Sequence, residues 1–160
     1  LSSGGPTVET ASVVDEIAER DKESRQLADI ESCLNAIERL QAAFLTQFSA
    51  SDLEKTSGRR CVLGVSGLKY HTYEKFFEVS PVGVRIVQPY EEFNTYIQAP
   101  LDSVLRVLKG VLAGDTSAFS SEWARGQAHI IGEKHVHDGY VFSQIFSKLA
   151  EMIKRYREMR

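Results

Sequence analysis

The chain has 160 residues, of which 42% are hydrophobic and 26% charged, with a formal net charge of −3. That length suits one domain and that apolar content closes a core, so wholesale disorder and fibrous repeats are excluded. Slight acidity without a long single-sign block argues against a protein that coats nucleic acid.

The chain opens Leu1-Ser-Ser-Gly-Gly-Pro-Thr, with no initiator methionine and without the basic and apolar regions of a secretory signal. Residues 1–10 therefore read as a flexible leader or the cut edge of a longer polypeptide. Two cysteines, Cys33 and Cys61, lie far apart and outside any CxxC pair. They predict reduced, half-buried thiols in a cytoplasmic protein. No run of about 18 apolar residues occurs, which excludes a membrane-spanning helix.

Residues 11–50 predict a helical arm. Its first half is charged, with Glu16 and Arg20 in a favourable i,i+4 pair and only Val13, Val14 and Ile17 able to bury. Its second half carries Leu27, Ile30, Leu34, Ile37, Leu40, Phe44 and Phe48 at a mean step of about 3.5 residues. Such a stripe packs on a sheet, or, because the period leans toward a heptad, joins residues 27–48 to a second copy or another protein.

After Ser57-Gly58 the pattern changes, and residues 51–160 read as an α+β domain, with 11–160 forming one structural unit. Arg60–Ser66, Lys75–Val79, Val84–Gln88 and Phe93–Gln98 predict four strands, with Cys61, Leu63 and Val65 sharing one face and Ser80-Pro-Val-Gly83 a turn. Their short connections predict an antiparallel meander. Pro100 opens a helix with a stripe of Leu101, Val104, Leu105, Leu108, Val111 and Leu112, which Gly114 ends. A short helix bearing Phe119 and Trp123 stops at Gly126, and Gln127–Ile131 is a fifth strand. Asp138 is the expected cap of a last helix carrying Phe142, Ile145, Phe146, Leu149, Met152, Ile153 and Tyr156, with cations at its C-terminal end. Runs of strands followed by runs of helices make the chain α+β rather than alternating βα.

Reactive constellations are weak. His129, His135 and His137 with Glu133 and Asp138 have metal-ligand residue types, but a solvated loop lacks the rigid shell a metal requires. Gly64-Val-Ser66-Gly67 lacks the spacing of a nucleophile elbow, and phosphate-cradling glycine motifs are missing. Glu74, Glu78, Glu91 and Glu92 show no spacing that singles out an acid–base pair. Tyr70, Tyr73, Phe76, Phe77 and Tyr90 suit a sheet core and its rim better than a base-stacking platform. No catalytic residue, metal or cofactor is assigned.

What remains is two strongly apolar helices, at 101–112 and 141–156, facing a sheet of about five strands. They either fill the core or enclose a cavity for an apolar guest, which at about 0.8 kcal/mol per buried CH₂ needs little specific chemistry. Val104, Leu108, Leu112, Phe119, Phe142, Phe146, Leu149 and Ile153 are the expected lining. A void of about 300 Å³ or more favours a ligand site, and tight packing a closed scaffold that binds proteins.

From about Arg59 to Leu149 the sequence resembles the sterol-carrier-protein-2-like family. The resemblance rests on Thr95-Tyr-Ile-Gln-Ala-Pro-Leu-Asp-Ser-Val-Leu-Arg-Val-Leu-Lys109-Gly110, on Ala118-Phe119, and on Gly126-Gln-Ala-His-Ile-Ile-Gly132. It implies a five-stranded sheet with helices on one side, an apolar tunnel for acyl chains or sterols, and no catalytic residue or metal. The long helical leader and the stretches Ser120–Arg125 and Glu133–Asp138 depart from the family pattern. Glu158-Met-Arg160 is no peroxisomal signal.

Overall fold

A computed structural model of the chain describes residues 8–44, 60–80, 83–89, 92–132 and 134–159. Among the described residues, four helices and five strands follow one another as α1 (Val8–Phe44), β1 (Arg60–Ser66), β2 (Glu74–Ser80), β3 (Gly83–Val87), β4 (Thr95–Pro100), α2 (Leu101–Leu112), α3 (Ala118–Ala124), β5 (His129–Gly132) and α4 (His135–Glu158). The fold class is α+β, as the order of patterns implies.

The sheet order is β3-β2-β1-β4-β5. β1 pairs antiparallel with β2, β2 with β3 and β4 with β5, whereas β4 runs parallel to β1 with Cys61 opposite Thr95 and Val65 opposite Ala99. The predicted simple meander is therefore corrected at one place. After β3 the chain crosses to the far side of β1, and the sheet is mixed though mainly antiparallel. Strand alternation sends Cys61, Leu63, Phe77, Ile86, Ile97 and Ala99 to the face carrying the helices.

α1 is 37 residues long, on the order of 55 Å. Val13, Val14 and Ile17 are exposed, while Leu27, Ile30, Cys33, Leu34 and Ile37 are buried in the core shared with α2 and α4. The apolar stripe from Leu27 to Ile37, with Leu40 partly buried beside it, is thus covered by its own chain. The described part of the stripe therefore gives no support to the expectation of a partner or homodimer held through residues 27–48; Phe48 itself lies outside the described residues. The helix also begins at Val8, inside the predicted leader.

α2 ends as its glycine predicts. Gly114 has φ +87°, its N–H donates to Val111 O at 3.0 Å, and the Asp115 N–H donates to Gly110 O at 2.8 Å, a Schellman closure. α4 starts earlier than Asp138, with Lys134 at the N-cap and no side-chain cap bond, so Asp138 is a residue of the first turns rather than the cap. Gly139 explains part of this packing: a Cβ there would lie 2.4 Å from the Trp123 ring, which meets Tyr140 edge-on at 5.5 Å. Helix α4 therefore approaches α3 closely where its side chain is absent.

Two glycines separate backbone strain from crowding. Gly67 and Gly114 both have positive φ, but a Cβ at Gly67 meets nothing within 4 Å, whereas one at Gly114 lies 3.0 Å from the Lys154 Cβ. Gly67→Ala is expected to cost about 1 kcal/mol in urea denaturation, the left-handed penalty alone, and Gly114→Ala about 2 kcal/mol. Equal losses would remove the α2–α4 contact as a source of stability.

Candidate functional site

Between the sheet and the helices lies one markedly apolar, partly enclosed cavity of about 100 Å³. Its floor is Cys61, Leu63, Phe77, Ile86, Ile97 and Ala99 from the sheet. α1 supplies Leu34 and Ile37, α2 supplies Val104, Val107 and Leu108, α3 supplies Phe119, and α4 supplies Phe142, Ile145, Phe146 and Leu149. Ala128 closes it beside β5. Small residues explain the hollow. Cys61, Ala99 and Ala128 are short beneath helices whose spacing is set by larger side chains, and rigid cylinders cannot sag into the gap.

Six of the eight residues expected on the wall stand there: Val104, Leu108, Phe119, Phe142, Phe146 and Leu149. Leu112 and Ile153 do not. Ile153 is buried and Leu112 partly buried near the end of α2, where Gly114 sits against Ala150 and Lys154 of α4, beyond the hollow. The periodic stripes identify inward faces but not how far along a helix the void extends. Sequence reasoning also left out the α1 and sheet contributions. The alternation Cys61, Leu63, Val65 was the available signal, since it marks one face of β1.

The volume is smaller than the 300 Å³ expected of a ready ligand site. An engineered apolar cavity of about 150 Å³ accommodates benzene, so a longer hydrocarbon enters only if side chains or helices give way. Phe146, half-buried and stacked obliquely on Phe119 at 5.3 Å, is the least buried aromatic of the α3–α4 wall.

Three polar side chains touch the cavity. Glu38 Oε2 accepts the backbone N–H of Ile86 at 2.6 Å, Gln41 lies one turn further along α1, and Ser103 projects from α2. Ser103 Oγ, 1% exposed, donates to Glu122 Oε2 at 3.1 Å and accepts from Arg106 at 3.2 Å. Glu122, 3% exposed, also accepts from Arg106 Nε at 2.7 Å and from Arg125. The Arg106 hydrogen bond, with help from Ser103 and the Arg125 charge, outweighs burial and holds the Glu122 carboxyl below its ordinary value. This cluster ties α3 to α2 behind the wall.

A second set of carboxylates fastens α1 along the sheet. Glu19 accepts the Tyr70 hydroxyl at 2.9 Å. Glu23 accepts backbone N–H groups of Lys69, Tyr70 and His71 at 3.0–3.1 Å and meets His71 Nδ1 at 2.9 Å. Glu31 accepts the Tyr73 hydroxyl at 2.7 Å and pairs with Lys75 Nζ at 2.8 Å. With Glu38 these residues recur along one side of α1 and meet the β1–β2 connection, β2 and β3 in turn. Burial pushes the Glu23 and Glu31 carboxyls up, but the hydrogen bonds and the Lys75 charge outweigh it and leave both below the ordinary 4.5. Burial and Glu31 push the Tyr73 hydroxyl up.

The histidine region does not form a loop. His135, His137 and Asp138 belong to the backbone of helix α4; Glu133 lies outside the described residues. Among the described residues no group of three His, Cys, Asp or Glu side chains is placed to hold a metal ion, and no helix is long and apolar enough to cross a membrane. Cys33 and Cys61 are buried and form no disulfide.

This architecture is the sterol-carrier-protein-2-like fold. A solved structure titled a UbiJ-SCP2 ubiquinone synthesis protein aligns at 17% identity with a TM-score of 0.50, covering 73% of this chain and 94% of its own. A crystal structure of sterol carrier protein 2 (17% identity, 72% and 94% covered, TM-score 0.45) and sterol carrier protein 2 like 2 from Aedes aegypti (12%, 70% and 96%, 0.43) add nothing to that assignment. No family model and no curated protein matches the sequence.

Carboxyls held below their unfolded value contribute stability above about pH 4.5, and that contribution is lost as pH falls through the lower folded values. Amide exchange in α1 residues 19–31 is therefore expected to accelerate relative to α2 as pH drops below that point. Glu23→Ala should reproduce the acceleration at pH 7. Unchanged protection in the variant would mean that the apolar stripe alone seats the helix.

Proposed function

We propose that this chain is a non-enzymatic binding protein for a hydrophobic small molecule, acting in the cytoplasm, with the cavity between sheet and helices as its site. The observation that carries this reading is the wall itself. All the lining side chains but Glu38, Gln41 and Ser103 are apolar or a thiol, contributed by every helix and four strands. Such a wall offers transfer free energy and no reaction chemistry. The fold supports the reading, because the neighbour with the TM-score of 0.50 is titled for synthesis of ubiquinone, a molecule with a long apolar chain. Acyl chains and sterols belong to the same class of guest, an acyl chain making the smaller demand on a narrow space. Two buried cysteines that form no disulfide suit a reducing compartment.

A second reading, a filled scaffold that binds proteins, is favoured by the volume of about 100 Å³. Its contact surface would lie elsewhere than the buried stripe of α1. Native mass spectrometry of gently purified protein, followed by organic extraction, separates the two. The binding protein carries or takes up a hydrophobic molecule, and the scaffold stays at its apo mass when fatty alcohols or sterols are added.

Variants sharpen this. Ala99→Leu places extra carbon in the floor and is expected to weaken uptake by about tenfold or more, with little loss of stability because the side chain enters existing space. Leu149→Ala is expected to admit bulkier guests while costing about 2–5 kcal/mol. If both variants bind as the parent does, the cavity is not the site.

A further inference from the structure

The polar groups on the cavity wall have fixed hydrogen-bonding roles, and those roles bear on the guest. Glu38 is the acidic side chain on the wall, and among the described residues lining the cavity there is no lysine, arginine or histidine. Three cations on the elements around it pair with other carboxylates: Lys75 with Glu31, and Arg106 and Arg125 with Glu122. Ser103 cannot offer its proton inward, because Glu122 can only accept and therefore takes it, which leaves a lone pair on the Ser103 oxygen. A carboxylate such as Glu38 likewise only accepts, and one of its oxygens is taken by the Ile86 N–H. Two of the three polar positions thus present acceptors; Gln41 is the third polar residue on the lining.

We propose that the cavity selects an uncharged amphiphile whose polar end is a hydroxyl, seated at Glu38 beneath the C-terminal part of α1, and rejects an ionised carboxylate. This rests on the reading of the cavity as a hydrophobic-ligand site. A hydroxyl donates to Glu38 and replaces the water it loses on entry. A carboxylate finds no cation on the lining, meets Glu38 as a like charge, and leaves its own acceptors unpaired against an otherwise apolar wall. The apolar tail then lies against the apolar lining, which includes Ile97, Ala99, Phe142 and Leu149. Chain length is limited by the cavity, whereas the end group is selected by the wall.

The test compares 1-decanol with decanoate at pH 8, where decanoate is ionised, by calorimetric or NMR titration of the full chain. Decanol is expected to bind more tightly by about tenfold or more. Glu38→Gln keeps an acceptor for Ile86 and removes the acid, so it is expected to bring decanoate to within about threefold of decanol. Decanoate binding as tightly as decanol to the parent protein overturns the selectivity and leaves the binding reading intact. A preference that survives unchanged in Glu38→Gln overturns Glu38 as its origin. If neither compound binds, the cavity reading fails, and the selectivity falls with it. The parent comparison alone decides the proposal if the variant does not fold.

Discussion

The structure depends on shielding one face of a five-stranded sheet with helices. Each strand alternates, so Cys61, Leu63, Phe77, Ile86, Ile97 and Ala99 present a continuous apolar surface that water would otherwise meet. α2 and α4 cover much of it, and the stripe of α1 from Leu27 to Ile37 covers the rest. The long helix is therefore part of the core along its second half, and its exposed first half extends from that anchored segment. The cavity follows from the same arrangement: straight helices bridge a floor whose central residues are small, so the layer closes at its margins before it closes at its middle.

Polar contacts then set where the helices rest. Apolar stripes tolerate sliding by a turn, but a carboxylate that accepts three successive backbone N–H groups, as Glu23 does at Lys69, Tyr70 and His71, is satisfied in one position. Glu31 at Tyr73 and Lys75, and Glu38 at Ile86, repeat that constraint further along. The donor groups at Lys69 to His71 follow Gly67, whose positive φ turns the chain after β1. Glu122 does the same work for α3. Two of these polar features, Glu38 and Ser103, face the hollow, so the devices that align the helices also decide the polarity of its wall.

Much of the fold was legible in the residues. The stripes of α2 and α4 gave both helices their inward faces, and Gly114 marked its turn because its positive φ permits the closing bonds. The parallel pairing of β1 and β4 was not legible. Short connections suggest hairpins, and nothing local distinguishes a chain that folds back beside β3 from one that crosses to β1, since both bury the same alternating face. The α1 stripe was ambiguous for a related reason: a period of about 3.5 shows that a helix face must be covered but does not name what covers it. Leu112 and Ile153 fell off the wall because a one-dimensional pattern carries no depth. Ala99 and Ala128 went unnoticed because small residues matter here by the space they leave. The Glu23 and Glu31 contacts join segments more than forty residues apart and leave no spacing signature in the chain.

The size of the hollow carries its own argument. At about 24 cal/mol per Å³, a void of about 100 Å³ costs on the order of 2 kcal/mol relative to a filled core. Three additional buried methylene groups, at about 0.8 kcal/mol each, offset that cost. A single larger residue at Ala99 or Cys61 could supply carbon from within the chain, because both side chains point into the space. The same carbon can come from a guest. The first few methylenes of an entering tail then recover what the empty core gives up, before any helix has to move. Further carbons must displace Phe146 or its neighbours, and each gains transfer free energy against the packing it disrupts. A narrow tail therefore enters stepwise, whereas a rigid ring system requires the walls to part before it gains anything.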